Sequence, residues 1–274
     1  MQVNSCSYYR YVKGATYRES IEKAKLRAQV KVCFTENSRR YGSRRIAAAL
    51  RIGRATVRGV MKQEGLRAIA PKSFKPNTTD SKHNLGISEN LLKNSLNEPQ
   101  AAGEVLIGDI TYLPLANGKF CYLACLQDKF TRRIVGWKVA ERMTAQLVID
   151  VFNQARKRWR LKKEAIIHTD RGSQYASVEY RRLLYINGFR QSMSGKGNCY
   201  DNAQAESFFS RLKAELLENG VFESVAQARS EVFSYIEGYY NRVRLHSGLG
   251  YKSPLEFEKQ LAINNQTRSG ESFV

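Results

Sequence analysis

Between residues 17 and 66 apolar side chains recur at helical spacing. Ile21, Ala24, Leu26, Ala28, Val32 and Cys33 predict a helix over 17–36. Ser43 suits the N-cap of a second helix, 44–50, whose apolar stripe is Ile46, Ala47 and Leu50. After a turn at Gly53, Val57, Val60 and Met61 share one side of a third helix, 55–64, and Gly65 with Leu66 behind it reads as a glycine C-cap. The last two helices form a helix-turn-helix. Their polar faces carry Arg44, Arg45, Arg51, Arg54, Arg58 and Lys62, and in such motifs the second helix enters the major groove of DNA.

From 71 to 100 the periodicity dissolves into Pro, Asn, Ser, Thr and Lys, as in KSFKPNTTDSKHN, which predicts a linker with one short helical piece. The pattern then changes. VLIGDITYLPL, KFCYLACLQDKF and RIVGWKVAE are β-rich runs separated by Asn117-Gly118 and by a basic turn at 131–133, which predicts an antiparallel meander. A helix over 144–159, a strand over 165–169, a helix over 178–187 ending at Gly188 and a strand near 191–194 follow. Strands first, then alternating helix and strand, predict an α/β domain with a mixed sheet. The divisions are therefore a small helical domain at 1–70, a linker at 71–100, a catalytic domain with a C-terminal helix at 101–262 and a tail at 263–274.

Charge narrows the partner. Against 25 Asp and Glu stand 45 Lys and Arg, a net charge of +20 in 274 residues, which calls for a polyanion. No apolar run approaches a spanning helix and the N-terminus has no signal-peptide pattern, so nucleic acid is favoured over a membrane. Cys6, Cys33, Cys121, Cys125 and Cys199 lack zinc-ribbon spacing, so a reduced, cytoplasmic setting is expected, with Cys121 and Cys125 as small buried apolar residues.

Three carboxylates carry candidate chemistry. Asp109 interrupts VLIGDITYLPL, a run apolar on both strand faces, where a lone charge is costly unless paired or metal-bound. Asp170 ends the strand AIIHTD at the kind of strand exit where α/β folds place ligands; capping the following helix is the alternative. Glu206 lies in NAQAESFFSRLKAELL, where Ala205, Phe209, Leu212 and Leu216 form the buried stripe and Glu206, Ser210 and Lys213 an adjoining face. Taken alone, this helix makes Glu206 first an ordinary solvated Glu near a helix N-terminus. The separations, 60 residues and then 35, prove little by themselves.

HTDRGSQY at 168–175, SMSGKGNCYDNAQAESFFSRLKAEL at 192–216 and YYNRVRLHSGLGYKSPLEF at 239–257 resemble transposases of the IS-three insertion-sequence family, the OrfB type with a retroviral-integrase catalytic core. YGSRRIAAAL and MKQEGLRA fit as well, so the resemblance covers nearly the whole chain. It implies an RNase H-like catalytic domain whose Asp, Asp and Glu fall on Asp109, Asp170 and Glu206. One departure stands out: Leu106 and Gly108 occupy places where the family usually has Trp and Thr, which predicts altered packing of the first strand rather than lost ligation.

Carboxylates from two strands and a helix suit hard divalent ions, and a pair of Mg2+ or Mn2+ is expected for in-line displacement at phosphorus. Lys213, two turns beyond Glu206, would reach substrate phosphate, and Lys196 lies in a glycine-flanked loop able to meet DNA. His168 shares a strand face with Asp170 but reads first as a hydrogen-bonded core residue. Asp201 or Asn202 would cap the helix of Glu206. The aromatics of 225–240 read as core, with the arginines that follow open to phosphate. The resemblance further implies duplex DNA as partner, a homo-multimer on it, and an upstream-frame partner or fusion in a bacterial cell. The competing readings are a nuclease without joining and a DNA-binding regulator.

Overall fold

The computed structural model describes residues 4–14, 20–70, 85–93, 95–159, 161–195, 203–217 and 220–270, without the side chains of 10, 95 and 265–270. The chain divides into two compact units, Met1–Ile69 and Ala70–Val274.

In the first unit α1 spans Ser5–Val12, α2 Ile21–Glu36, α3 Ser43–Leu50 and α4 Arg54–Gln63. Ser20 caps α2, its hydroxyl accepting from the Lys23 amide. Ser43 is not the cap of α3. The extended Gly42 opens that helix, its carbonyl accepting from the amides of Arg45 and Ile46. Arg51, in the left-handed region at φ 55°, closes it, and Gly53 starts α4. The C-terminus of α4 follows the expected glycine motif: Gly65 has φ +64°, and the Leu66 amide donates 2.8 Å to the Met61 carbonyl. Val30, Cys33, Phe34, Tyr41, Ile46, Ala47 and Val57 form the small core. Glu64 ties α4 to α2 through Lys31 at 2.8 Å and Arg27 at 3.5 Å.

The second unit is built on a five-stranded sheet: β1 Val105–Pro114, β2 Phe120–Asp128, β3 Ile134–Ala140, β4 Ile166–Thr169 and β5 Arg190–Met193, in the order β3-β2-β1-β4-β5. The meander β1-β2-β3 is antiparallel, and β4 and β5 join parallel. The β1–β2 turn uses Asn117, whose side chain accepts from the Lys119 amide, and Gly118 at φ +76°. Helices α5 Ala145–Arg158, α6 Ser173–Ala176 and α7 Val178–Ile186 cover one face; α8 Ala203–Leu216 and α9 Val225–Phe233 cover the other, followed by a wide π turn over Ser234–Tyr240 and by α10 Pro254–Gly270. Mixed sheet, strand order and helix layers are those of an RNase H-like fold.

Of the expected linker, 71–84 and 94 lie outside the described residues, and the rest of 85–100, without being a strand, makes hydrogen bonds along the β5 edge. The Glu89 carbonyl accepts from the Met193 amide on the β5 edge, and the Leu91 amide donates 3.0 Å to Ser192 Oγ. Two short 3-10 turns, Leu91–Lys93 and Ser95–Asn97, complete this strap. Backbone groups of the strap, with the Ser88 hydroxyl donating to Gln191 Oε1 at 2.8 Å, meet the β5 edge, and composition alone does not show such backbone contacts.

Candidate active site

Asp109 sits on the middle strand, opposite Cys125 of β2. The parallel register pairs Ile107 with His168, and two further steps bring Asp109 level with Asp170 at the exit of β4. The face of β1 that carries Leu113 packs against α8, and Asp109 shares it by strand alternation. Its side chain is half-buried, one oxygen accepting from the Ile110 amide at 2.9 Å. Burial, then the nearby Asp170, pushes the Asp109 carboxyl well above the usual range; Glu206 adds to the rise, while the Ile110 hydrogen bond and Lys213 oppose it. The three predicted carboxylates thus share one electrostatic field.

Asp170 accepts from the Gly172 amide at 3.0 Å, so it shapes its own turn as well as facing Asp109. Gly172 keeps this turn tight: a Cβ there would lie 3.0 Å from Gln174 Oε1 and 3.1 Å from Asp170 Oδ1, so both side chains would have to give by a few tenths of an ångström. The capping role falls to Ser177, whose hydroxyl accepts from the Tyr180 amide at the start of α7. Glu206 is exposed in the first turn of α8, and Lys213 is half-buried on the same side; burial lowers the Lys213 ammonium's pKa and Asp109 partly restores it. Phe208 joins the predicted stripe of Ala205, Phe209 and Leu212 in the core, with Leu216 at its margin. Among the described residues no group of three or more His, Cys, Asp or Glu is close enough to enclose a metal ion. The donor chemistry nevertheless fits one. Two facing acids with a third in their field are all oxygen donors, and Asp109 is held where its charge is hardest to keep.

His168 is core: it is fully buried, with Nδ1 2.8 Å from Ser192 Oγ. Cys121 and Cys125 are buried, as expected for small apolar residues. Leu106 is wholly inside the sheet, and a Cβ on Gly108 would meet Thr169 Cγ2 at 3.1 Å and the Tyr175 hydroxyl at 3.5 Å. Both departures from the family pattern are therefore packing positions, and neither side chain is a ligand. Tyr175 itself escaped the sequence reading. Its buried ring brings the hydroxyl beside β1, and burial followed by Asp109 and Asp170 raises its pKa well above the usual range. An aromatic closing the HTDRGSQY loop was the available signal.

Arg44, Arg54, Arg58 and Lys62 are exposed on the first unit. Arg45 is half-buried, donating to the Arg40 carbonyl at 3.3 Å and lying over the Tyr41 ring. Lys196, Cys199, Asp201 and Asn202 lie outside the described residues. Arg244 is not open to phosphate: it is 4% exposed and faces Glu215. No described helix is long and apolar enough to cross a membrane.

Three domain families match in chain order: an HTH-like domain over residues 21–74 and integrase core domains over 99–199 and 187–254. With the acids on a central strand, a strand exit and a helix, this defines a DDE-type transposase/integrase, a polynucleotidyl transferase that acts on DNA. The chain is 40% identical over 252 residues to the transposase for insertion sequence element IS904 of Lactococcus lactis subsp. lactis, covering 88% of this chain and 96% of that one. It is 41% identical over 236 residues to transposase InsF for insertion sequence IS3A of Escherichia coli, covering 84% and 81%. The chain belongs to the IS3 family of insertion-sequence transposases. Among solved structures, the HTLV-2 integrase catalytic core domain in complex with magnesium matches 58% of this chain and 99% of its own at 16% identity and a TM-score of 0.46. A simian T-cell lymphotropic virus intasome matches 84% and 73% at 15% identity and a TM-score of 0.47.

Proposed function

We propose that this transposase cuts and joins DNA at the ends of its element by in-line phosphoryl transfer, with Asp109, Asp170 and Glu206 holding a pair of Mg2+ or Mn2+ ions. The supporting observation is that Asp170 and Glu206 both raise the pKa of Asp109, a buried acid on the central strand that the parallel register sets beside Asp170. Acids so placed raise the cost of one another's charge, and divalent cations remove it. Bound there, the ions supply activation of the attacking oxygen and stabilisation of the leaving one. The attacker is water in the first step, which frees a 3' hydroxyl, and that hydroxyl in the second.

The chain's own residues orient the reaction. Asp109 and Asp170 are fixed by the sheet, and Glu206 must be brought toward them from α8. Lys213, on the side of α8 that Glu206 occupies, offers its ammonium to a substrate phosphate. Arg44, Arg45, Arg54, Arg58 and Lys62 meet DNA from the first unit, and Lys196 from the loop before α8. On this reading 1–70 recognises the element, 71–100 connects while its later part also lines β5, 101–262 performs catalysis, and the tail of 263–274 begins within α10. The chain acts as a homo-multimer on DNA with an upstream-frame partner or fusion.

Labelled element ends incubated with Mg2+ or Mn2+, using this chain alone and fused to the upstream frame, test the reading. Joined products that EDTA abolishes are expected; EDTA-resistant joining or a covalent protein–DNA adduct would overturn it. Ends that are cut but never joined would mark a nuclease instead. Binding supplies a second prediction. With about six phosphates contacted, log affinity falls against log salt with a slope near −5. Arg54→Gln and Arg58→Gln should each lessen that slope by about 1; unchanged slopes would remove these residues from the interface.

A further inference from the structure

The sequence motif YYNRVRLHSGLGYKSP is not accounted for by the carboxylates or by the helix-turn-helix, and its buried polar groups tie the helix of Glu206, through Arg244, and the sheet, through Tyr240 and Asn241, to one segment. Glu215, 7% exposed, accepts from the Tyr235 hydroxyl at 2.8 Å and faces Arg244 Nη2 at 3.4 Å. Arg244 lies over the Tyr240 ring, whose hydroxyl accepts from Gln127 of β2 at 2.8 Å. Asn241 completes the attachment: its side chain accepts from the Ile134 amide and donates to the Ile134 carbonyl, each at 3.0 Å, as a neighbouring strand would. The π turn matters here. Its i→i+5 bonding brings Tyr235 and Tyr240 nearly over one another, with ring centroids 6.3 Å apart, so one reaches α8 and the other the sheet.

We propose that Arg244, Glu215 and Tyr235 are positioning residues for strand cleavage and joining: they lock the roll of α8 about its own axis and so place Glu206 against the Asp pair. Glu215 follows Glu206 by nine residues, about two and a half helical turns, which puts the two on opposite sides of α8. Phe208, Phe209 and Leu212 hold the helix on the sheet, but apolar contact is non-directional and tolerates a small roll. Hydrogen bonds to a buried carboxylate do not tolerate it. A roll of about 10 to 20 degrees displaces a side-chain tip by an ångström or two, and misplacement of about 1 Å costs on the order of a hundredfold in rate. The inference rests on the reading of Glu206 as a site carboxylate.

The test uses the full chain. Glu215→Gln with Arg244→Met removes both charges at similar volume, a replacement that commonly preserves folding; Tyr235→Phe removes a single hydroxyl and serves if the double variant does not fold. Both should keep DNA affinity within about twofold while the single-turnover cleavage rate falls tenfold or more. Half-saturation by Mn2+, followed by electron paramagnetic resonance without turnover, should rise severalfold. Arg244→Lys, which keeps the charge but not the fork, should fall between. A folded double variant, or Tyr235→Phe, with unchanged rate and Mn2+ affinity would overturn the proposal. Glu206→Gln separates the two readings: inactive, it leaves the positioning role to be judged on those variants; active, it withdraws Glu206 and with it the reason for the lock.

Discussion

Asp109→Asn should yield a chain that binds element ends as tightly as the parent, melts at a higher temperature near pH 7, and neither cuts nor joins. The first result follows if the duplex is held by the exposed cations proposed above, which this change leaves alone. The second follows from the sign of the pKa shift. Burial, Asp170 and Glu206 raise the folded-state pKa of Asp109, so its contribution to stability is fully present below the unfolded carboxylate value and is lost as pH rises through the folded one. At neutral pH the acid is a net burden on the fold, and an amide of the same shape removes it. The third follows if the acid holds a divalent ion: activity should drop on the order of 10^3-fold or more, equivalent to about 4 kcal/mol of transition-state stabilisation. Mg2+ or Mn2+ should raise the melting temperature of the parent and not of the variant, since only a folded site that binds the ion is stabilised by it. Calorimetry across pH 5 to 8 with and without metal, beside a strand-joining assay, measures all three. Joining within tenfold of the parent would remove Asp109 from the chemistry.

The elements of that site were unequally visible in the chain. VLIGDITYLPL announced a middle strand because a strand with neighbours on both sides and helices on both faces must be apolar throughout, which made Asp109 conspicuous. Gly65 and Leu66 announced the end of α4 because that cap needs a left-handed residue followed by an apolar one. Elsewhere the local signal was absent. Helix α1 exposes Tyr8, Tyr9 and Tyr11, so it has no buried stripe to detect. Glu215 falls on the buried face of α8, three residues past Leu212, yet a charge reads as solvated until a partner is known, and Arg244 is 29 positions away. Parallel pairing of β1 with β4, which brings Asp109 level with Asp170, depends likewise on long-range register. Local pattern therefore marked Asp109 and Asp170, the family motif marked Glu206, and tertiary structure supplied the register that sets Asp109 beside Asp170.

Gly136 is the other residue whose meaning appears only in three dimensions, and Gly136→Ala should be among the most destabilising single-methyl changes in the second unit. It lies in β3 opposite Leu126, under the last turns of α5. A Cβ there would stand 2.5 Å from the Val151 carbonyl oxygen, 3.0 Å from Ala155 Cβ and 3.3 Å from the Ala155 amide nitrogen. None of these is the far end of a flexible side chain, so no rotamer change relieves the overlap and the helix must lift. Lifting it loosens Leu147, Val148, Val151 and Phe152 from the core they share with β2 and β4. Overpacking of this kind costs about 3 kcal/mol, which for a unit of this size lowers the melting temperature by roughly 6 to 12 °C. Rate should fall as well, because Gln174 of α6, four residues after Asp170, donates to the Met143 carbonyl just before α5. Gly59→Ala is the contrasting case: its Cβ meets nothing within 4 Å in the middle of α4, so alanine there should stabilise by about 0.5 to 1 kcal/mol. Thermal and urea denaturation of the two variants side by side decide the matter. A Gly136→Ala protein melting within about 2 °C of the parent would mean that α5 is free to shift over β3, and that the close approach is not what seats the loop of Asp170.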